Sequence, residues 1–263
     1  MDCLIKSIHY CPVKSLSFQS INSCTIKKNN GMPNDRIFAF TRGIDFERAS
    51  VLENNAKERK LNNFLTLKNS PVLNKYNFIY ENEKLTLVNN NDKLITISAN
   101  NPDEKSLLVN KLSELENSLI KPFFLLKNIK FPFYDTSHSN NVFNSISLIN
   151  LNSIKDFAQK TNFKIELQRF RANFYVEGIK PWEERNWIGK VIEINNVSFK
   201  VEKNIPRCVA INLKPKTDDG SLNLLKSLKT NYNHFDMGIY LTALSDGNIE
   251  VGNKIRKIYQ FFL

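Results

Sequence analysis

Apolar and polar positions alternate in short bursts along the first hundred residues. The segments 4–10, 24–27, 37–40, 64–67, 77–80, 85–88 and 94–98 are brief and rich in β-branched or aromatic residues, and Asn, Gly, Pro and Asp cluster between them. That rhythm predicts the strands of a barrel or sandwich. The period then changes. Leu108, Leu112, Leu115 and Leu119 form one apolar stripe behind Asn101-Pro102, with Asp103 and Glu104 in the first turn. A helix capped by Asn101 and packed on a sheet is the expectation. Residues 119 to about 140 have no clean period, and a boundary between two units, 1–118 and 119–263, is placed at their start.

The second half mixes the two periods. Segment 145–149 reads as a strand, 151–161 as a helix with Ile154, Phe157 and Ala158 inward, and 174–176 as a strand closed by Gly178. Segments 191–194 and 197–201 flank Asn195-Asn196, and because Asn tolerates positive φ a hairpin is predicted. Segment 208–213 reads as a strand, 221–229 as a short helix, and 239–244 and 249–258 as closing strands. The fold class is mixed α/β with strands dominant.

Charge adds little to this picture. The formal charge is +11, from 37 Lys+Arg against 26 Asp+Glu. Much of it is lysine dispersed among asparagines, and no arginine-aromatic stacking motif accompanies it, so no nucleic-acid partner is expected. The four cysteines, Cys3, Cys11, Cys24 and Cys208, form no CxxC and no Cys/His pair at zinc spacing. With His9, His138 and His234 the only histidines, an HExxH or three-histidine metal site is excluded. Sparse cysteines, no signal-like apolar start and no run near the roughly 20 apolar residues of a membrane span point to the cytoplasm.

Four constellations could carry chemistry. In Ile205-Pro206-Arg207-Cys208 a permanent charge sits beside a thiol, which favours the thiolate that ligates redox metals; a buried structural cysteine is the competing reading. In Gln168-Arg169-Phe170-Arg171-Ala172-Asn173, two arginines at i and i+2 on an extended segment point the same way, with Asn173 two further on. Such a pair suits phosphate or carboxylate, unless it is a solvated strand edge. Lys14-Ser15 after Pro12 could hold an anion or form an ordinary turn. Asp35-Arg36, after the Gly31-Met32-Pro33-Asn34 turn, could be a local ion pair.

Taken in order, these motifs resemble the MOSC family, named for the C-terminal domain of molybdenum cofactor sulfurase. The resemblance is to the branch of the mitochondrial amidoxime-reducing component and its bacterial relatives. It rests on Tyr10-Cys11-Pro12-Val13-Lys14-Ser15, Gly31 with Asp35-Arg36, and the stretch Leu65-Thr66-Leu67-Lys68-Asn69-Ser70-Pro71-Val72-Leu73. In the second half it continues through Phe170-Arg171-Ala172-Asn173, Gly178, Glu183-Glu184, Trp187, Arg207-Cys208, the 215–220 loop, Gly238-Ile239-Tyr240 and the 247–253 segment. Ala172 stands where the family has proline. The family's Asp-x-x-Pro is missing, with Val142 and Ser145 in its place.

The resemblance implies a small β-rich N-terminal domain (1–118) packed on a β-barrel-like MOSC domain (119–263) with flanking helices. It implies a molybdenum cofactor of the molybdopterin type, not pyridoxal phosphate, with Cys208 as the metal's protein ligand and catalytic centre. Lys14, Ser15, Arg36, Arg171, Asn173, Arg207 and Tyr240 match positions that hold the pterin and its phosphate. The implied activity is reduction of N-hydroxylated or N-oxide compounds, and the alternative is a non-redox carrier of the cofactor or of sulfur on Cys208. No cysteine follows Cys208, so no iron–sulfur cluster is expected in this chain. Electrons would come from a separate ferredoxin-, cytochrome- or flavoprotein-type carrier. Asp35, Glu183 and Glu184 are available as proton donors but unplaced.

Overall fold

A computed structural model describes residues 2–16, 18–134 and 146–258. The strands are β1 (Cys3–Tyr10), β2 (Gln19–Ile21), β3 (Ser23–Ile26), β4 (Phe38–Phe40), β5 (Tyr76–Glu81), β6 (Lys84–Asn89), β7 (Asp92–Ser98), β8 (Leu125–Lys127), β9 (Ile146–Asn150), β10 (Phe174–Glu177), β11 (Val191–Ile194), β12 (Val197–Pro206), β13 (Asp236–Ala243), β14 (Gly247–Glu250) and β15 (Lys254–Ile258). The helices are α1 (Phe46–Asn54), α2 (Pro102–Leu115), α3 (Leu151–Thr161) and α4 (Leu224–Tyr232). The class is mixed α/β with strands dominant, as expected. No helix among the described residues is long and apolar enough to cross a membrane.

Seven strands close into a barrel in the order β10-β9-β13-β12-β11-β15-β1, and β1 pairs back onto β10. Closure leaves β2 as a flange on β1. The interior is filled by Ile5, Ile8, Phe174, Val176, Ile192, Phe199, Ile239 and Leu241, with a period of two along the strands except where β1 bulges between Ile5 and Ser7. The β11–β12 hairpin turns at Asn195 and Asn196, both at positive φ (47° and 65°), so the predicted turn chemistry is the observed one. Helix α3 lays Ile154 and Phe157 against the barrel wall beside α4, whose Leu224 and Leu228 join the same cluster.

The first half of the chain builds a core of its own, the first core, under the three-stranded sheet β5-β6-β7 and helix α2. Asn101 caps α2 by accepting from the backbone amides of Asp103 and Glu104, and Leu108 and Leu112 are fully buried. Leu115 is exposed, because the helix ends there and the stripe resumes only at Leu119. The two halves interleave: β1 belongs to the barrel, whereas Leu119, Phe123 and Leu125 pack into the first core, and so do Ala210 and Leu213 from beyond Cys208.

Two expectations are corrected, and one helix has no counterpart in the sequence reading. Segment 64–67 is not a strand; Phe64 makes a single bridge to Thr41. The span 208–213 is a 3-10 turn over Val209–Asn212, because Ala210 and Leu213 face the first core while Ile211 faces the α3/α4 cluster. Helix α1, with Phe46 71% exposed and only Ala49 and Leu52 buried, carries too little apolar period to be read from sequence. Ser145 and Val142 lie outside the described residues.

Candidate functional site

The end of β1 and the loop before β4 are tied into one backbone unit. Pro12 accepts from the Phe38 amide (3.0 Å) and the Lys14 amide donates to Phe38 O (2.7 Å), so 12–14 run beside β4. The Arg36 amide donates to Cys11 O (2.6 Å), and Asp35 Oδ1 accepts from the Cys11 amide (2.7 Å). Asp35 is fully buried and its other oxygen accepts from the Arg36 guanidinium. The local ion pair read from the sequence is therefore present, and it also locks Cys11 in place. Burial works against the Arg36 charge, but Asp35 facing it holds the group above the ordinary arginine range. The guanidinium also lies over the Tyr134 ring, 5.5 Å from its centroid.

Lys14 is buried and its Nζ donates to Phe133 O at 3.0 Å. Arg59 holds the same strap from the other side, donating to Phe131 O and Pro132 O while its guanidinium lies 3.9 Å from the Phe133 ring centroid. This strap carries Tyr134 to Arg36. Neither Phe133 nor Tyr134 was signalled by sequence, since their segment has no periodic pattern; Cys11, wedged between a strand and Pro12, could have been.

The arginines of 168–173 do not share a face of an extended segment, as the sequence suggested. Residues Leu167–Phe170 form a 3-10 turn and Arg171 follows at φ 46°, so the two side chains part. Arg169 is buried against Glu166 (2.7 Å) and donates to the carbonyls of Ile211 and Asn212, bracing the loop beyond Cys208. Arg171 makes no hydrogen bond or ion pair among the described residues. Its pKa is lowered by burial, with nearby Arg36 adding to the effect and the Cys11 and Cys208 sulfurs opposing it. Arg171 is half-buried, and cationic groups perturbed in this way recur at functional sites.

Asn173 is fully committed. Its Oδ1 accepts from the Ser147 amide (2.9 Å) and hydroxyl (2.8 Å), and Nδ2 donates to His9 O (3.2 Å), latching β1 to β9. Arg207 donates through Nε to Met237 O (2.9 Å) and through Nη1 to Phe170 O (2.9 Å). It thereby fixes the approach to Cys208, and burial pushes its pKa down to about 10. The Cys208 thiol is exposed at the start of the 209–212 turn, not buried as a structural cysteine would be. Tyr240 projects from β13 within electrostatic reach of both Arg36 and Arg207.

Arg36, Arg171, Arg207, Tyr240 and Cys208 thus lie within electrostatic reach of one another as one group. Lys14 and Asn173 stand behind it as braces. Ser15, at φ 62°, lines with Arg171 a cavity of about 340 Å³ between the halves. Of the unplaced carboxylates, Asp35 belongs to the group, whereas Glu184 is buried against Ser153 and Asn150 and Glu183 accepts from the Lys180 amide. Among the described residues no three His, Cys, Asp or Glu side chains cluster as a metal cage, so a metal here would have to bring its other ligands with it.

His9 supplies a test of the latch. It is buried, its ring nitrogens face Ser7 (2.9 Å) and Ser20 (3.0 Å), and burial pushes its pKa from 6.5 down to about 4. The unfolded chain takes up this proton below its ordinary pKa while the fold refuses it. The contribution is therefore complete above pH 6.5 and is lost as pH falls towards about 4. We expect urea midpoints to fall across that window by the equivalent of roughly 3 kcal/mol at most. The His9→Gln variant should flatten the slope; an unchanged slope in that variant would refute the assignment.

Residues 135–256 match the family model described as the MOSC domain. No curated protein sequence matches the chain. Among solved structures, the YuaD protein from Bacillus subtilis is similar over 99% of this chain and 98% of its own, at 12% identity and a TM-score of 0.47. YiiM from Geobacillus stearothermophilus is similar over 43% of this chain and 54% of its own, at 16% identity and a TM-score of 0.34. YiiM from Escherichia coli is similar over 44% and 54%, at 11% identity and a TM-score of 0.34.

Proposed function

We propose that this chain, whose residues 135–256 match the model of the MOSC domain, binds a molybdenum cofactor through Cys208 and serves as a reductase. The substrates proposed are N-hydroxylated or N-oxide compounds. The observation that carries the reading is the exposed Cys208 thiol within electrostatic reach of Arg171, a guanidinium with no partner among the described residues. A soft sulfur donor next to an unanswered cation fits a metal–pterin that ends in an anion. When bound, the cofactor supplies two-electron and oxygen-atom chemistry.

The chain's own residues then bind and position. Cys208 is the proposed protein ligand. Arg171 and Ser15 take the anionic end. Arg36, held by Asp35 and Tyr134, and Arg207, held by the carbonyls of Met237 and Phe170, keep the pocket positive without moving. Lys14 and Asn173 hold the strap and the strand that carry these groups. Tyr240 closes the group from β13. Fixed dipoles and charges of this kind cost no reorganisation when charge develops on the substrate. Electrons would come from a separate carrier, and the free cysteines suit a cytoplasmic location.

The exposure of Cys208 also favours a second reading, a non-redox protein that carries the cofactor or a persulfide on that sulfur. One experiment separates them. Protein made in a host that synthesises the cofactor is assayed for molybdenum and for reduced-dye-driven conversion of benzhydroxamic acid or a benzamidoxime. The reductase reading predicts near-stoichiometric metal and steady dye oxidation dependent on substrate. Full metal with no turnover on either compound, or a persulfide on Cys208 by mass spectrometry, would overturn it in favour of the carrier.

A further inference from the structure

Thirteen large apolar side chains are exposed among the described residues, and six of them come from two short stretches, 46–61 and 120–131. They are Phe46 (71% exposed), Ile129 (62%), Ile120, Val51, Phe131 and Leu61. Scattered singly, such side chains mean little; gathered on one face, they mark a surface that meets a partner.

The two stretches build one face. Segment 41–46 runs between its neighbours: the Arg42 amide donates to Asn63 O at 2.8 Å and the Ile44 amide to Pro122 O at 3.3 Å. The Phe46 ring meets Phe124 edge-on with centroids 5.8 Å apart, and a Cβ on Gly43 would lie 2.9 Å from Ile120 Cγ2. Arg59 ties the other end, donating to Leu52 O and Glu53 O of α1 and to Phe131 O.

The charge of this face is positive. Residues 42–63 and 119–132 hold eight Lys and Arg against four carboxylates. Three of those carboxylates are already used: Asp45 caps α1, Glu53 pairs with Lys105, and Glu58 pairs with Arg48. Lys57, Lys60 and Lys130 are exposed, and Lys130 Nζ lies 5.3 Å from the Phe131 ring centroid. Half-exposed Arg42 has no side-chain hydrogen bond or ion pair among the described residues, which leaves its guanidinium fork open to a phosphate.

We infer that this face rests on an anionic lipid bilayer, with Phe46, Ile120 and Ile129 set into the headgroup layer and Arg42 and the lysines against lipid phosphates. Protein interfaces deplete lysine from their centres, whereas here exposed lysines sit among the apolar side chains. A second copy docked two-fold would set the same positive face against itself. A bilayer surface takes both kinds of group: apolar tips enter it, and lysine stems lie along them with their charges in the anionic layer. Such a contact is peripheral and needs no spanning helix. It shares no residue with the Cys208 group, so it stands or falls apart from the molybdenum reading.

The test is cosedimentation of the purified full chain with phosphatidylcholine vesicles, with and without phosphatidylserine. We expect partition onto the phosphatidylserine vesicles that weakens as salt rises, and little onto phosphatidylcholine alone. The Phe46→Ser, Ile129→Ser double variant should lower that partition about tenfold or more. Lys57→Gln, Lys60→Gln and Lys130→Gln should each lower it by up to about fivefold. Phe235→Ser, at an exposed aromatic between α4 and β13, should bind as the wild type does, and thermal melts check that each variant is folded. No partition onto phosphatidylserine vesicles, wild-type partition by the double variant, or an equal loss in Phe235→Ser overturns the proposal. So does a dimer in sedimentation velocity that the double variant abolishes while vesicles bind nothing, which would make the occupant a second copy.

Discussion

Replacing Cys208 with serine is expected to leave a folded protein that has lost its turnover. The thiol is exposed and its neighbours in the 209–212 turn are held by Arg169 through the carbonyls of Ile211 and Asn212, not by the sulfur. An exposed substitution of this kind changes stability by no more than about 0.5 kcal/mol. If Cys208 is the metal's protein ligand, however, dye-driven reduction should fall by more than about 100-fold, the upper range seen when merely an outer-shell partner of a metal is lost. Thermal melting and steady-state assays on the same preparation check both halves. A variant that melts normally and retains most of its activity would remove Cys208 from the chemistry.

A large structural effect is expected at Gly238, where β13 enters the barrel. Its φ is +83°, and a Cβ there would lie 2.4 Å from Leu148 O and 2.5 Å from Ile149 Cγ1 on the paired strand β9. Backbone strain of about 1–3 kcal/mol and overpacking of about 1–3 kcal/mol then add. Gly238→Ala should therefore cost roughly 2–6 kcal/mol, a large part of the roughly 5–15 kcal/mol that holds a typical domain folded. Gly252 is the control. Its φ is +91°, but nothing lies within 4 Å of the added Cβ. Gly252→Ala should cost only about 1 kcal/mol from conformation alone. Denaturant midpoints that fall equally in both variants would show that the close approach of β13 to β9 contributes nothing.

The parts of the fold that sequence could reveal were those with a local cause. Asn101-Pro102 before a leucine stripe specifies its own helix, and Asn195-Asn196 between alternating runs specifies its own turn. The loop after Cys208 has no such cause. It forms a turn because Ala210 and Leu213 are claimed by one core and Ile211 by another, and neither claim is visible along the chain. The same holds for Arg169 and Arg171. Their i, i+2 spacing suggested two equal forks, yet the backbone's switch to positive φ at Arg171 sends one into an ion pair and leaves the other open. At the site, the identities of Cys208, Arg171, Arg36 and Arg207 were legible as motifs. Their supports were not: Tyr134 and Phe133 reach Arg36 and Lys14 across about a hundred positions of chain. Asn173 matched a motif as a cofactor contact, but its amide is occupied latching two strands of the barrel, so its contribution is to hold Arg171's segment in register.

The interleaving of the halves gives these supports their effect. Cys208 leaves the barrel at the end of β12, and the next residues plug into the core of the first half. The cysteine is therefore presented at the seam between the halves, within electrostatic reach of Arg171, which lines the cavity with Ser15.

Molybdenum K-edge X-ray absorption, recorded on wild-type and Cys208→Ser protein from the same cofactor-producing host, tests the central claim most directly. A sulfur scatterer supplied by the protein in the wild type, missing or replaced by oxygen in the variant, is the predicted result. Identical sulfur shells in the two proteins, or no molybdenum in either, would contradict it.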